Sequence, residues 1–385
     1  MNEDAAVSEA SWRVPLSDIV VDDELAGAAI EVVRSGWWSM GPRVEELERE
    51  FAAFCGTSHA FAVSSGTAAL HLALLAVGCR PGDEVVVPSL NFVAAANTIV
   101  HTGATPVFAD VAGAQDLNLE PGDVEAAVGP RTKAIMSLDY GGYPCDADAL
   151  AAIAEQRGVA VIEDAAHAPG ASVDGRMCGT LGSIGCFSFF ANKNLPVGEG
   201  GMVVTNDDEL AERLRLLRSH GMTTLTWDRH RGHASSYDVV TAGFNYRLDE
   251  IRAAVGVVQL RRLLDENAAR GRILARYRQA LDGERELSMP FRDVDPGVLP
   301  AHHLAVLLLA EDADRDAVRA ALTEARIQTS VHYPPIHTFS RYRAAAQRAL
   351  PRTDALAPRL LTLPLFGRMT DDQVEAVISA ILAAV

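Results

Sequence analysis

The sequence predicts an α/β protein, with a large domain built on a mostly parallel central sheet flanked by helices and a smaller C-terminal α+β domain. Three observations carry this. Short apolar runs rich in β-branched residues alternate with helical stretches as far as Thr205, the pattern of a sheet covered on both faces. The 385 residues leave room for more than one core. Beyond an amphipathic helix that begins near Leu248 the alternation gives way to two helices and a single apolar run.

Residues 1–15 have no periodicity and are expected as an arm, residues 16–255 as the large domain and 256–385 as the small one. Asp22 to Arg34 reads as a helix stopped by Ser35-Gly36, and Arg43 to Phe54 as an amphipathic helix. Between them, Trp37 and Trp38 sit in a glycine-bounded loop, where they either line a pocket or pack the loop down. Ser64-Ser-Gly-Thr67 opens a helix that is apolar nearly all round and therefore buried. Free N–H groups at Gly66 and Thr67 suit a phosphate, and an ordinary N-cap by Ser65 explains the same letters.

Strands are expected at Glu84–Pro88, Ala134–Leu138, Val159–Ile162, Cys186–Phe189 and Met202–Thr205, with helices at Val93–Val100 and Ala147–Gln156 among the connections. Ligands of such sheets sit beyond the carboxyl ends of the strands. Phe92, Asp164 with His167, and Ser188 to Lys193 fall there. From Arg218 to Asp238 the chain is polar, with Arg and His alternating. It is a solvated excursion or a flap offering positive charge to an anionic substrate. The small domain has an apolar run at Ala305–Leu309, helices at Arg315–Glu324 and Asp371–Val385, and a proline-stiffened loop, Val331-His-Tyr-Pro-Pro-Ile-His337.

Composition narrows the function. The net charge of −17 argues against nucleic-acid backbone binding, which needs a basic patch. Five widely spaced cysteines without a CxxC pair suggest reduced thiols in the cytoplasm and no metal site. The acidic N-terminus is unlike a signal peptide, and no apolar run approaches a membrane span. The 34 basic residues include only two lysines, Lys133 and Lys193. Lys193 lies between an apolar strand and Gly198-Glu-Gly-Gly201, and an amine can lose its proton and attack a carbonyl where a guanidinium cannot.

Brought to one sheet edge, these residues meet the needs of pyridoxal phosphate (PLP). Lys193 offers an amine, Asp164 a carboxylate for a ring nitrogen, Gly66, Thr67 and Ser188 a phosphate site, and Phe92 a stacking face. Each has a plainer alternative: a surface lysine, a capping aspartate, an ordinary strand serine. Their joint occurrence in this order carries the weight.

The run Phe187-Ser-Phe-Phe-Ala-Asn-Lys-Asn194 with Gly198-Glu-Gly-Gly201 resembles the lysine motif of the DegT/DnrJ/EryC1/StrS aminotransferases. Gly41-Pro-Arg-Val-Glu-Glu46, Ser64-Ser-Gly-Thr-Ala-Ala-Leu70, Val86-Val-Pro-Ser-Leu-Asn-Phe92 and Tyr140-Gly-Gly-Tyr-Pro-Cys-Asp146 extend the resemblance. Glu163-Asp-Ala-Ala-His167, Asn245-Tyr-Arg247, His332-Tyr-Pro-Pro335 and Leu363-Pro-Leu-Phe366 carry it to the end of the chain. The resemblance implies the aspartate aminotransferase fold (fold type I) and a PLP enzyme of amino-sugar or antibiotic biosynthesis. It makes Lys193 the cofactor-bearing lysine and proton shuttle, and Asp164 the partner of the ring nitrogen. Phe92 stacks on the ring, His167 sits beside the ring oxygen, and Gly66, Thr67 and Ser188 hold the phosphate.

It also implies a homodimer in which Asn245 reaches the neighbouring subunit's phosphate. The expected reaction is amino transfer from Glu or Gln to a nucleotide-linked keto sugar, foremost a dTDP-4-keto-6-deoxyhexose. Substrate contacts are expected from Trp38, Arg229, His230, Arg231, His233, Arg247, His332 and Tyr333. A 3-keto sugar or keto-inositol acceptor, and a non-catalytic PLP-binding regulator, are the alternatives. The chain departs from the family at Phe190-Ala191, where a His-Pro pair is common, and at Asn91, where Thr is common.

Overall fold

The computed structural model describes residues 12–224, 236–345 and 348–385. Its centre is a seven-stranded sheet of β1 (His59–Val63), β2 (Glu84–Pro88), β3 (Thr105–Ala109), β4 (Thr132–Leu138), β5 (Ala160–Asp164), β8 (Ile184–Ser188) and β9 (Gly201–Thr205). The order is β1-β9-β8-β5-β4-β2-β3. The pairings β3–β2–β4–β5–β8 are all parallel, while β9 runs antiparallel to both β8 and β1. This is the expected mostly parallel sheet. Between β5 and β8, β6 (Ser172–Val173) and β7 (Arg176–Met177) form a small antiparallel pair that β10 (Val298–Leu299) extends.

Helices cover both faces. On one lies α3 (Gly66–Ala76), whose side chains are buried around almost its whole circumference, with α4 (Ala94–His101) and α7 (Asp208–Arg218). On the other, α2 (Pro42–Cys55) and the 32-residue α8 (Glu250–Leu281) enclose Phe51, Phe187 and Phe189. Phe51 meets Phe187 edge to face at 4.9 Å, a favoured aromatic geometry. α5 (Pro121–Ala127) and α6 (Ala147–Arg157) pack on the sheet over Val86, Ile135 and Val161, and α1 (Asp23–Ser35) lies against α8.

After α8 the chain forms a second core. Here β11 (Ala305–Leu308) pairs antiparallel with β12 (Leu360–Leu363) against α9 (Arg315–Glu324) and α11 (Asp371–Ala384). The short α10 (Pro351–Leu356) precedes β12. The expected domain boundary at residues 255/256 falls inside α8. No helix among the described residues is long and apolar enough to cross a membrane.

Two strands of the central sheet escape a reading of apolar runs, and both are at its edges. β3 contains Pro106, which an edge strand tolerates because one side of its ladder is unpaired. β1, His-Ala-Phe-Ala-Val, alternates partly and fully buried positions and so lacks a continuous apolar signature.

The loop carrying Trp37 and Trp38 is held by one buried carboxylate. Helix α2 has no side-chain cap of its own, and Glu250 at the start of α8 supplies one. Glu250 Oε1 accepts from the Gly41 N–H at 2.8 Å and the Val44 N–H at 2.9 Å, and Oε2 accepts from the Arg43 N–H at 2.9 Å. Truncation strands three donors, two of them buried, at a helix N-terminus. Glu250→Ala is therefore expected to lower unfolding stability by about 3 kcal/mol in urea titrations, and an unchanged midpoint would show that the cap contributes little.

Candidate active site

The carboxyl ends of β2, β5 and β8 open into one cavity of about 350 Å³. Register places Asp164 beside Leu138 and Cys186, at the last residue of β5. Ser188 ends β8, and the turn after it carries Lys193, whose N–H donates to the Phe190 carbonyl at 2.9 Å. β2 hands over to Asn91 and Phe92 on the opposite wall, where Phe92 is 56% exposed.

The start of α3 forms the floor. Ser65 Oγ accepts from the Ala68 N–H at 3.0 Å, the expected N-cap. The N–H groups of Gly66 and Thr67 come first in the helix and have no acceptor within it, so they present a positive terminus to the cavity. Gly66 is required by proximity, since a Cβ there would come within 2.7 Å of Ser188 Cβ. Gly201, opposite Ser188 in the ladder, is similarly confined: its Cβ would lie 2.6 Å from the Phe187 carbonyl oxygen.

Burial sets the electrostatics. It draws the Lys193 amine down to about 8, against the pull of the Asp164 charge. It pushes the Asp164 carboxyl up to about 6, opposed by the Ala166 N–H, the Lys193 charge and the Asn91 amide, with Asp139 acting in the raising direction. Burial also holds His167 neutral, well below its ordinary range, with the Lys193 and His332 charges acting the same way. The Gly141 N–H donates to His167 Nδ1 at 3.3 Å, so Nε2 carries the hydrogen and meets the Tyr333 hydroxyl at 2.8 Å. Near Asp164, burial raises both Asp139 and Glu163. The Asp139 charge adds to the rise at Glu163, whereas the Cys145 N–H and a hydrogen bond with Glu163 oppose it at Asp139. Glu163 accepts from the Gly179 and Leu181 N–H groups at 2.6 and 2.9 Å.

Gly66, Thr67, Phe92, Asp164, His167, Ser188, Lys193, His332 and Tyr333 all line this cavity, as do the divergent Asn91 and Phe190. Two expected substrate contacts, Trp38 and Arg247, do not, and neither does Asn245, which was expected at a neighbouring subunit's phosphate. Trp38 is 55% exposed, and its indole N–H donates to the Val33 carbonyl at 3.2 Å. Asn245 is exposed and bridges Ser219 through its backbone. Arg247 bridges Val63, and burial followed by the Arg218 charge lowers its guanidinium. Arg229, His230, Arg231 and His233 lie outside the described residues. Sequence reasoning missed His303, whose Nε2 lies 3.5 Å from Lys193 Nζ across 110 residues of chain.

The donor set fits PLP. A buried carboxylate is available for a pyridinium nitrogen, a helix N-terminus and a serine for a phosphate, an exposed aromatic face for a ring, and a partly neutral amine for a carbonyl.

Comparison with known proteins agrees. The model of the DegT/DnrJ/EryC1/StrS aminotransferase family matches residues 20–382. The spore coat polysaccharide biosynthesis protein SpsC of Bacillus subtilis is 42% identical, over 97% of this chain and 98% of that one. The structure of the aminotransferase TlmJ from Streptoalloteichus hindustanus superposes with a TM-score of 0.90 at 37% identity, covering 96% of this chain and 98% of its own. Spr1654 from Streptococcus pneumoniae, solved in its PLP form, gives 0.89 at 27% identity, covering 96% and 98%.

A lysine must shed its proton before it attacks a carbonyl, so the lowered value has a kinetic consequence. Capture of PLP by the cofactor-free protein should accelerate with pH through about 8 and then level off. Stopped-flow absorbance checks this, and a rate still climbing at about pH 10, as for an ordinary lysine, would contradict it.

Proposed function

The chain belongs to the DegT/DnrJ/EryC1/StrS aminotransferase family, PLP-dependent sugar aminotransferases, and on that premise we propose that it aminates a nucleotide-linked keto sugar. The acceptor is a dTDP-4-keto-6-deoxyhexose, the donor is glutamate or glutamine, and the reaction serves amino-sugar biosynthesis in the cytoplasm. The observation that carries the reading is the convergence of Lys193 and Asp164 on one cavity with the α3 N-terminus and Ser188.

PLP, when bound, supplies the electron sink that stabilises charge beside the transferred nitrogen. The chain's own residues do the rest. Lys193 Nζ takes the α-proton from the amino donor and later delivers a proton to the sugar carbon that receives the nitrogen. An amine drawn to about 8 suits both directions near neutral pH. Asp164 keeps a ring nitrogen protonated, Phe92 covers a ring face, and His167, its Nε2–H on the Tyr333 hydroxyl, sits beside the ring oxygen. Gly66, Thr67 and Ser188 hold the phosphate. The result is ping-pong transfer with the two substrates taking turns in one cavity.

The working unit in this reading is a homodimer. Phe92 and Phe190 are 56% and 44% exposed at the cavity, and Asn245 is exposed and lies outside its own chain's cavity. A second copy laid across this face covers the aromatics and brings its Asn245 to the phosphate. Arg229, His230, Arg231 and His233 are assigned to the substrate's diphosphate, with His332 and Tyr333, which line the cavity, as further sugar or nucleotide contacts.

Lys193→Ala should lose turnover by about four orders of magnitude or more, because a positioned acid–base group alone contributes about that much. Glutamate or glutamine should convert the wild-type cofactor spectrum in a half-reaction without a sugar. A Lys193→Ala protein that still transaminates would refute the mechanism, and a wild type inert to both donors would identify a binding protein and not an enzyme. Neutralising Arg229, His230, Arg231 and His233 together should raise KM for the nucleotide sugar about tenfold or more with little change in kcat, since charge-assisted bonds to a diphosphate are lost. An unchanged KM would remove that segment from the substrate site.

A further inference from the structure

The wall behind Lys193 contains a side-chain relay that the reaction above does not use. Asn267 Nδ2 donates to the Pro169 carbonyl at 2.9 Å, which makes its Oδ1 the accepting end. That oxygen takes a hydrogen from Asn194 Nδ2 at 2.7 Å, and the same nitrogen donates to the Ala301 carbonyl at 2.7 Å. Asn194 Oδ1 is thereby an acceptor, and it lies 2.8 Å from His303 Nδ1. The two backbone carbonyls can only accept, so the direction of every bond follows, and His303 carries its hydrogen on Nδ1. The remaining ring nitrogen, Nε2, presents a lone pair to Lys193 Nζ at 3.5 Å. Asn194, Asn267 and His303 are each 5% exposed, which leaves little solvent to rearrange the relay.

We propose that His303 is the positioning residue of the Lys193 amine, accepting a hydrogen bond from Nζ through its Nε2 and aiming the amine into the cavity. The ring is suited to this. Burial holds it well below its ordinary range, and the charges of Lys193, His167, Arg270 and His332 act in the same direction. It therefore stays a neutral acceptor wherever Lys193 titrates. A lone pair facing Nζ favours the ammonium form and works with Asp164 against the desolvation of the amine. The inference rests on Lys193 being the reacting lysine, but it concerns the free amine and not the transfer.

The two-lysine composition makes the amine directly readable. In the full chain freed of cofactor, lysine labelled with 13C at Cε gives two signals, and Lys133→Arg identifies that of Lys193. The Lys193 midpoint should fall by about one pH unit in His303→Phe, a tenfold change in its ionisation constant. It should fall less in Asn194→Leu, which frees the ring to turn, and return toward the wild-type value in His303→Gln, whose amide oxygen can accept. An unchanged midpoint in His303→Phe, with the Lys133 signal and circular dichroism intact, would overturn the proposal. Should that variant not fold, histidine 15N shifts of the wild type decide instead: the Nδ1–H form at His303 supports the relay, and the Nε2–H form overturns it. No amino group moves in these titrations, so failure of the transamination reading leaves their outcome unaffected.

Discussion

An amine and a carboxylate taken out of water side by side govern the rest of this molecule. Desolvation works against both charges, drawing Lys193 down and Asp164 up, and each partly restores the other's ionised form. Such a pair is costly to keep and more costly to break, since removing one partner leaves the other charged and buried alone. The surrounding polar groups read as its support. The Ala166 N–H reaches Asp164 Oδ1 at 3.2 Å, the α3 N-terminus faces the same cavity, and His303 stands behind the amine. Burial also gives the amine its chemical use, because a lysine at about 8 can exchange protons near neutral pH.

The fold delivers this pair by topology. Parallel strands end on one side of the sheet, so residues far apart in sequence meet there without long loops. The last part of the chain closes the cavity and is clamped in place. Asp110, 2% exposed, accepts from the Arg352 and Thr353 N–H groups and from the Thr353 hydroxyl, at 2.6–2.9 Å. Ser89 Oγ, just past β2, meets His337 Nδ1 at 2.7 Å, and His337 Nε2 meets Asp354 at 2.9 Å. The Tyr140 hydroxyl donates to the His332 carbonyl. These bonds fix the His332–Tyr333 loop against the cavity, and with it the hydroxyl that meets His167.

Much of this was legible in the sequence, for a local reason. Asp164, Ser188 and Phe92 follow apolar runs that announce strands, and the glycines at the start of α3 and after Lys193 mark places where backbone must come close. Lys193 was conspicuous because lysine is so scarce. Edge strands β1 and β3 were harder to read, since half-exposed residues and a proline dilute their signal. His303 was invisible for another reason. Nothing in Ala301-His-His303 refers to a lysine 110 positions earlier, and only the packing of the later chain against the turn after β8 joins them. The expected contacts Trp38 and Arg247 lie outside this chain's cavity, which a linear motif cannot distinguish from its lining, while Asn245 was assigned to a neighbouring subunit's phosphate and not to this one.

The central claim is that one lysine of two bears the cofactor. Borohydride reduction of the PLP-loaded protein, followed by peptide mass mapping, tests it directly, because the permanent carbon–nitrogen bond can form at only two lysine side chains. The account predicts a phosphopyridoxyl group on the peptide containing Lys193 and none on that containing Lys133. Label on Lys133, or no lysine label at all, would contradict it.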